Sequence, residues 1–293
     1  MYKSLRIVRP INLIIIALTM FVVSWFFFEQ SLVELLSDSI FWSKTLVMVT
    51  LAASGNMIND YFDLTVDEIN RPDRISIGKY WSKRGVMMMY VELSVLVVFF
   101  TYFLYSHFEH FIFITIPLTM WFGLLLYTPI LKRWHFIGNS WVALCTAMVP
   151  IWAILGSPVN QSSQGKWEII FFFSCLAFFV NLLREVLKDI EDKEGDKRGG
   201  YRSVIIAFGS RFTLYMVFSI SIAILVLELI FFSLYGSKGF SRFLFLILVV
   251  VPTLVFLWQM ARRNPLMEPA LLSKNLKSMM LMALVFLVLS KWI

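Results

Sequence analysis

The sequence predicts an all-α protein that crosses a membrane several times, and its composition and patterning support this. Hydrophobic residues make up 59% of the 293 positions and charged residues only 15%, and the apolar residues gather in long runs. A soluble domain is roughly 45–50% apolar and about 25% charged, so it has no use for this much apolar surface. Backbone groups in lipid must be satisfied within their own segment, so long apolar runs predict helices.

Nine apolar segments follow one another along the chain, each near the ~20 residues that a spanning helix needs. Their expected limits are 11–29, 40–58, 84–106, 110–127, 140–156, 167–184, 212–234, 243–261 and 276–292. The first segment follows the basic residues Lys3 and Arg6, as the apolar core of a signal peptide does. No small-residue cleavage site comes after it, so we interpret it as a retained span. Residues 1–293 are therefore predicted to form a single integral-membrane domain.

Basic residues predict the orientation in the membrane. If the N-terminus is cytoplasmic, only five of the 26 Lys and Arg residues fall on the far side, which leaves 26 − 5 = 21 on the cytoplasmic side. The five are Lys44, Lys166, Lys238, Arg242 and Lys291. This asymmetry predicts a plasma-membrane protein whose functional residues face the cytoplasm. It suits membrane lipid and phosphate groups, and since no nucleic-acid motif accompanies it, no nucleic-acid partner is expected.

Two acidic motifs repeat one spacing, i, i+3 and i+7. They are Asp60, Asp63 and Asp67 after the second segment, and Asp189, Asp192 and Asp196 after the sixth. On an α-helix this spacing puts three carboxylates on one face. The offset of 189 − 60 = 129 residues predicts an internal repeat, about 1–130 and 131–262, with a ninth helix at 276–292 added.

Carboxylates stacked in this way repel one another, so a cation is expected to hold them together. Hard oxygen ligands suit Mg²⁺, which binds through a few carboxylates plus substrate phosphate oxygens. All six aspartates are therefore candidate metal ligands, and two such helix ends facing one cavity would bridge a diphosphate. The alternative is a pair of merely solvated, charged helix ends, but identical spacing on the same membrane side argues against it.

Basic residues flank both acidic motifs. Arg71 and Arg74 follow the first, Arg202 follows the second, and Lys132 lies between the fourth and fifth segments. Arginine and lysine side chains neutralise a leaving diphosphate and fix its orientation. Basic residues of this kind would suit a substrate diphosphate, and the alternative is that they only follow the positive-inside rule.

Together these stretches resemble the UbiA superfamily of intramembrane prenyltransferases. The residues that carry the resemblance are Arg9, Pro10 and Asn12; Asn59, Asp60, Asp63 and Asp67 followed by Arg71 and Pro72; Tyr127, Lys132, Arg133, Gly138 and Asn139; and Asp192, Asp196 and Gly200. The resemblance implies a bundle of about nine helices around a central cavity, and two Mg²⁺ ions that bind an isoprenyl diphosphate. Diphosphate then departs, and an acceptor attacks the allylic cation.

The resemblance also implies roles for individual residues. Asp63, Asp67, Asp192 and Asp196 would be the main catalytic metal carboxylates, assisted by Asp60 and Asp189. Substrate would be bound by Asn12, Asn59, Arg71, Arg74, Tyr127, Lys132, Arg184, Lys188 and Arg202.

The acceptor is suggested by the second motif. Arg184, Glu185, Lys188 and Asp189 before Asp192 resemble the geranylgeranylglycerol-phosphate geranylgeranyltransferase branch, and Arg184 and Lys188 would hold an acceptor phosphate. The expected partners are a prenyl diphosphate and a lipophilic or phosphorylated acceptor. Prenylation of an aromatic quinone precursor is the alternative within the family, and an ion-coupled transporter is the alternative of another class. Prenyl chain length and oligomeric state stay open.

Overall fold

The computed structural model describes residues 4–28, 30–134, 136–157, 161–234 and 239–291, without the side chains of Arg74 and residues 161–164. These ranges contain no β-strand, and their one β-type pairing is an isolated bridge between Ile77 and Trp81. The α-helices in them are α1 Pro10–Phe28, α2 Leu32–Ser37, α3 Ser39–Phe62, α4 Leu64–Asn70, α5 Lys83–Phe108, α6 Ile112–Leu125, α7 Ile137–Ile154, α8 Gln161–Glu191, α9 Lys193–Arg198, α10 Val204–Leu234, α11 Phe240–Phe245, α12 Val251–Arg262 and α13 Pro269–Ser290.

The all-α membrane prediction is confirmed, whereas the count of nine spans stays a prediction. In the described part of the chain, seven helical segments are long and apolar enough to cross a membrane: α1, α5, α7, α8 from Gly165, Phe240–Arg262, α10 and α13. Helix α6 has 14 residues, or about 21 Å, which is short of the ~30 Å hydrocarbon layer. Helix α3 has 24 residues but carries Lys44, Asn56, Asn59 and Asp60.

Two predicted helix starts differ from those observed. Helix α10 begins at Val204 rather than near 212, because the chain bends at Gly209 and the helix resumes after it. Gly209 has φ of +79°, a conformation that glycine adopts without the penalty of a Cβ atom. Helix α13 begins at Pro269 rather than near 276, because proline is favoured in the first helical turn.

The chain divides into two compact units. Unit 1 comprises Met1–Trp134, Trp152–Ser157 and Glu194–Tyr201, and unit 2 comprises His135–Ile151, Pro158–Lys193 and Arg202–Ile293. The predicted single domain and its internal repeat remain predictions.

In unit 1, α3 is the central helix and packs against α1, α5 and α6. At Gly55 the missing side chain brings α3 close to α6, since a Cβ atom there would lie 3.0 Å from Leu124. Ile7 and Met57 join Ile77 and Val86 in a buried apolar cluster at the end of α3 that leads to the acidic motif.

Lys44 lies buried in unit 1, with 3% of its surface exposed. Its Nζ donates hydrogen bonds to the carbonyl oxygens of Ala153, at 3.3 Å, and Leu155, at 2.6 Å. These carbonyls belong to the end of α7, where the last helical carbonyls have no partner within the helix. The Phe28 and Phe108 rings lie 5.9 and 5.4 Å from Nζ and add cation–π attraction. Lys44 therefore caps α7 from α3.

In unit 2, α8 packs against α10 and α13. An aromatic cluster joins these helices: the Phe172 ring stacks on Phe231 at 3.9 Å, and Phe245 contacts both Phe231 and Phe286. Helices α10 and α12 are linked by a buried hydrogen bond from Thr253 Oγ1 to Glu228 Oε1, at 2.7 Å.

We predict that Lys44→Met lowers the thermal unfolding temperature of the purified protein by several degrees. The variant leaves the carbonyl oxygens of Ala153 and Leu155 without their charged donor, and a hydrogen bond to a charged group is worth about 1.5–3 kcal/mol. Unfolding is followed by fluorescence in detergent. Lys83→Met is the control, because Lys83 is exposed at the start of α5. Equal unfolding temperatures for the two variants would show that Lys44 does not cap α7.

Candidate functional site

Each acidic motif lies at a joint between two helices. Helix α3 ends at Phe62, Asp63 has the non-helical pair φ −87° and ψ 4°, and α4 begins at Leu64. Hydrogen bonding continues across the joint, since the Asp63 N–H donates to the Asn59 carbonyl oxygen and the Asp67 N–H to that of Asp63.

The second motif repeats this arrangement. Helix α8 ends at Glu191, Asp192 is a turn residue whose N–H donates to the Lys188 carbonyl oxygen at 2.8 Å, and α9 begins at Lys193. The three aspartates of each motif therefore do not share one unbroken helix. Aspartate is a poor helix former, so tertiary contacts of its carboxylate readily outweigh its helical preference.

The Asp63 carboxylate lies at the centre of a buried polar cluster in unit 1. Lys132 Nζ lies 3.0 Å from Asp63 Oδ2, and the Tyr201 hydroxyl donates to Asp63 Oδ1 at 2.8 Å. The same Nζ lies 3.4 Å from Asp196 Oδ1. Asp63 and Asp196 are 4% and 1% exposed. Unit 1 thus brings together an aspartate from each motif, separated by 196 − 63 = 133 positions, around one lysine.

Burial and neighbouring charges shift the pKa values of residues in and beside this cluster. Burial opposes the charge on Lys132, but the carboxylates of Asp63 and Asp196 outweigh it and raise the pKa of Lys132. Burial and the neighbouring Asp63 carboxylate raise the pKa of Tyr201, so its hydroxyl stays a donor. Burial, with the negative charges of Asp60 and Asp63, raises the pKa of Asp67 to about 7. At Asp67, burial and the neighbouring carboxylates therefore outweigh the nearby cations Arg9 and Lys132.

Helix α9 approaches α4 through two glycines. The Gly195 N–H donates to Asn70 Oδ1 at 2.8 Å, and a Cβ atom at Gly195 would lie 2.4 Å from the Asn70 amide nitrogen. One turn later, a Cβ atom at Gly199 would lie 2.5 Å from Val66. Helix α4, in the first motif, therefore packs directly against α9, and this packing fixes the position of Asp196.

Other predicted residues of unit 1 lie around the same helix ends. Asp60 Oδ1 forms an ion pair with Arg9 at 2.9 Å, and the Asn59 side chain accepts a hydrogen bond from Thr128. Tyr127 is tied to the cluster by its carbonyl oxygen, which accepts from the Lys132 N–H at 2.7 Å.

Two further substrate residues predicted in unit 1 lie at the end of α4 and at the start of α1. Arg71 is half-buried and ends α4, with its N–H donating to the Asp67 carbonyl oxygen. Asn12 is half-buried in the first turn of α1. The Arg74 side chain lies outside the described residues.

Unit 2 contains a second polar group near the end of α8. Asn139 Nδ2 donates to Asp189 Oδ2 at 2.7 Å. Glu185 Oε1 lies 2.9 Å from Arg184 Nη1 and 2.7 Å from Lys188 Nζ. Both residues proposed for an acceptor phosphate are thus held by one carboxylate oxygen.

The last two predicted residues are more accessible. Asp192 is half-buried, and Arg202 is exposed. Within the described residues, no group of three or more His, Cys, Asp or Glu side chains is arranged as a set of metal ligands. The cation between Asp63 and Asp196 is the lysine ammonium.

Tyr201 and Arg9 were not among the predicted site residues, although both contact motif aspartates. Arg9 directly precedes Pro10 and Asn12, and Tyr201 directly follows Gly200, in stretches that the resemblance already singled out. The sequence could therefore have suggested both residues only as polar side chains that lie next to a motif. Nothing in the sequence indicated that Tyr201 reaches Asp63.

Comparison with known proteins places the sequence in context. The model of the UbiA prenyltransferase family matches residues 13–285. The digeranylgeranylglyceryl phosphate synthase of Pyrococcus horikoshii is 37% identical over 172 residues, which cover 57% of this chain and 56% of that protein. The protein of the same name from Methanosphaera stadtmanae is 30% identical over 245 residues, 82% of this chain and 84% of that protein. The chain thus spans about half the length of the first relative and most of the second.

Solved structures show the same fold. A structure described as a digeranylgeranylglyceryl phosphate synthase in membranes matches with a TM-score of 0.69 and 22% identity, over 99% of this chain and 98% of that chain. A UbiA homolog from Archaeoglobus fulgidus, bound to GPP and Mg²⁺, matches with a TM-score of 0.65 and 17% identity, over 99% and 100% of the two chains.

We predict that Gly195→Ala lowers the thermal unfolding temperature by a few degrees. The added methyl group forces the Asn70 amide away from α9 and breaks its hydrogen bond, and overpacking typically costs about 1–3 kcal/mol. Gly165→Ala is the matched control, since Gly165 is also helical but a Cβ atom there meets nothing within 4 Å. The close packing of α9 on α4 would be refuted if Gly195→Ala unfolded at the temperature of the control.

Proposed function

Because the chain belongs to the UbiA prenyltransferase family, we propose that it transfers an isoprenyl group from a prenyl diphosphate to a lipid-precursor acceptor, releasing diphosphate. The family resemblance of the motifs is confirmed by that membership. One observation carries the proposal: Asp63 and Asp196, from separate motifs, flank the Lys132 ammonium at 3.0 and 3.4 Å. Acidic side chains grouped around a buried cation suit a metal-bound diphosphate better than they suit a solvated helix end.

The proposed cofactor is Mg²⁺, with two ions expected. Carboxylate oxygens are the ligands that Mg²⁺ prefers, so the donor set fits. Asp63, Asp67, Asp192 and Asp196 would be the main ligands, with Asp60 and Asp189 assisting. Bound metal would neutralise the charge that develops on the departing diphosphate. The Archaeoglobus fulgidus homolog, which binds Mg²⁺ and GPP, supports this assignment.

The basic and polar residues would orient the diphosphate. Lys132 is held in place by Asp63, by Asp196 and by the Tyr201 ring, which lies 4.3 Å from Nζ. A fixed ammonium in a buried site stabilises a leaving anion without having to reorganise. We assign the same function to Arg71, Arg74 and Arg202. Neutral contacts to substrate would come from Asn12, Asn59 and Tyr127.

Geranylgeranylglyceryl phosphate is the proposed acceptor. Two relatives that share 37% and 30% identity with the chain are named digeranylgeranylglyceryl phosphate synthases. The Arg184 and Lys188 cations on α8 match a phosphorylated acceptor, since phosphate offers several anionic oxygens to such donors. An aromatic acceptor without a phosphate group offers these two cations fewer anionic oxygens.

The protein is integral to the membrane, and we propose that its functional residues face the cytoplasm. The predicted cytoplasmic segments hold 26 − 5 = 21 of the 26 basic residues. Positive residues of short loops remain on the cytoplasmic side during insertion. The acidic motifs follow the second and sixth predicted segments, so both belong to that side.

We predict that the purified protein in lipid nanodiscs, supplied with geranylgeranyl diphosphate and geranylgeranylglyceryl phosphate, forms the doubly prenylated glyceryl phosphate and releases diphosphate only with Mg²⁺. Product is identified by mass spectrometry, and excess chelator should abolish it reversibly. Undiminished turnover in chelator would contradict the metal assignment. Product from 4-hydroxybenzoate but not from the glyceryl phosphate would contradict the acceptor.

We predict that Asp63→Asn and Asp192→Asn each reduce turnover by at least about a hundredfold, because each removes a negatively charged metal ligand. Initial rates are measured at saturating donor and Mg²⁺, and membrane insertion is checked by size-exclusion chromatography. Asp73→Asn is the control, since Asp73 is an exposed carboxylate just beyond the first motif. Near-normal rates in either site variant would refute the proposed site.

A further inference from the structure

One face of α8 carries four polar side chains in succession. Asn181, Arg184, Glu185 and Lys188 stand at i, i+3, i+4 and i+7, a spacing that aligns side chains along one side of a helix. Asn181, Arg184 and Glu185 are all buried, although charged side chains are rarely buried unless they are paired. All four residues belong to unit 2.

The two cations of this face share one anion. Glu185 Oε1 lies 2.9 Å from Arg184 Nη1 and 2.7 Å from Lys188 Nζ. Counting one charge for each, the three side chains sum to +2 − 1 = +1. The nearby Asp189 carboxylate accepts a hydrogen bond from Asn139. Asn139 is uncharged, so with Asp189 counted the group is neutral, +2 − 2 = 0. Arg184 and Lys188 nevertheless offer two cationic donors to an anionic ligand that competes with Glu185.

Asn181 adds an unused donor to this face. Arg184 Nη1 contacts Asn181 Oδ1 at 3.4 Å, and because a guanidinium only donates, this contact sets which way the amide points. The amide nitrogen Nδ2 is buried, as only 5% of the residue is exposed, and it has no hydrogen-bond partner within the described part of the chain. A buried donor without an acceptor is costly, so the site lacks an oxygen that a ligand would bring.

Building on the proposed function, we propose that Asn181 binds the phosphate of the acceptor together with Arg184 and Lys188, and that Glu185 is the positioning counter-ion with which the phosphate competes. A phosphomonoester presents three acceptor oxygens and close to two negative charges, enough to engage all three donors at once. A phenol or a monocarboxylate presents fewer oxygens and less charge. Selection of a phosphorylated acceptor then follows from this one helix face.

The amphiphilic acceptor also fits the position of these residues on α8. The segment Gly165–Glu191 has 27 residues and spans about 40 Å, more than the ~30 Å hydrocarbon layer. Its charged residues lie at its two ends, Lys166 and Glu168 at one and Arg184 to Glu191 at the other, so the Arg184 end reaches the headgroup region. A lipid phosphate lies at that depth while its chain remains in hydrocarbon.

Binding of the acceptor alone, without donor or Mg²⁺, tests this proposal. Dissociation constants are measured in nanodiscs for geranylgeranylglyceryl phosphate and for geranylgeranylglycerol, which lacks the phosphate. Asn181→Ala should weaken binding of the phosphate ligand about tenfold, the loss expected for a hydrogen bond to a charged group, and leave the alcohol unchanged. Glu185→Gln should instead tighten the phosphate ligand severalfold, because it removes the competing anion. Glu194→Gln, at an exposed carboxylate, is the matched control.

The two variants are expected to change the affinity for the phosphate ligand in opposite directions, which separates ligand binding from a structural effect. A structural role for both residues would weaken the phosphate ligand and the alcohol alike in both variants, and that result would overturn the proposal. Unchanged phosphate binding in Asn181→Ala would also overturn it. Competition by inorganic phosphate shows whether the site recognises the phosphate group alone or needs the lipid chain as well. Either result upholds the site if Asn181→Ala weakens binding of the phosphate ligand.

Failure of this inference and failure of the proposed function give different results. Phosphate binding that depends on Asn181, without product from any donor, would uphold the acceptor site and refute prenyl transfer. Normal product formation with unaltered acceptor binding in Asn181→Ala would uphold prenyl transfer and refute the acceptor site.

Discussion

The Lys132 ammonium lies between Asp63 and Asp196 and allows these two carboxylates to be buried close to each other in unit 1. Two nearly buried carboxylates would repel each other, and burial makes that repulsion more costly. One lysine compensates only half of their charge, so the trio sums to −2 + 1 = −1. Tyr201 adds a neutral hydrogen bond but no charge. The raised pKa of Asp67 has the same origin, since burial and nearby anions both disfavour a further negative charge. Such a cluster attracts additional cations.

A buried ion pair contributes favourably only when its geometry is well fixed, because desolvation otherwise outweighs the attraction. Here the fixing comes from uncharged parts of the chain. Gly195 and Gly199 let α9 lie directly on α4, and Asn70 binds the Gly195 N–H. Both glycines serve by lacking a side chain rather than by adopting an unusual backbone conformation. The position of Asp196 therefore depends on close packing just outside the acidic motifs.

Much of the fold follows from local patterns, whereas the site depends on distant contacts. Long apolar runs located the helices because a helix in lipid satisfies its own backbone. The repeated aspartate spacing indicated related segments, but it could not reveal that α3 and α8 both stop one residue before the middle aspartate. That break depends on partners such as Tyr201, which lies 138 positions from Asp63. The bend at Gly209 was missed for another reason: a single glycine is compatible with a continuous apolar helix and with a broken one alike.

The length of α8 has a consequence for how substrate arrives. The helix runs for 31 residues, about 46 Å, so its two polar ends reach beyond the ~30 Å hydrocarbon layer while the apolar stretch between them lies within it. Withdrawing a lipid chain into water costs about 0.8 kcal/mol for each methylene group, which is prohibitive for a long isoprenoid. An amphiphile that diffuses laterally within its leaflet avoids this cost. It meets the Arg184 end of α8 at the depth of its own headgroup. For the proposed acceptor, encounter then becomes a two-dimensional search, governed by the surface density of the lipid and not by its solubility in water.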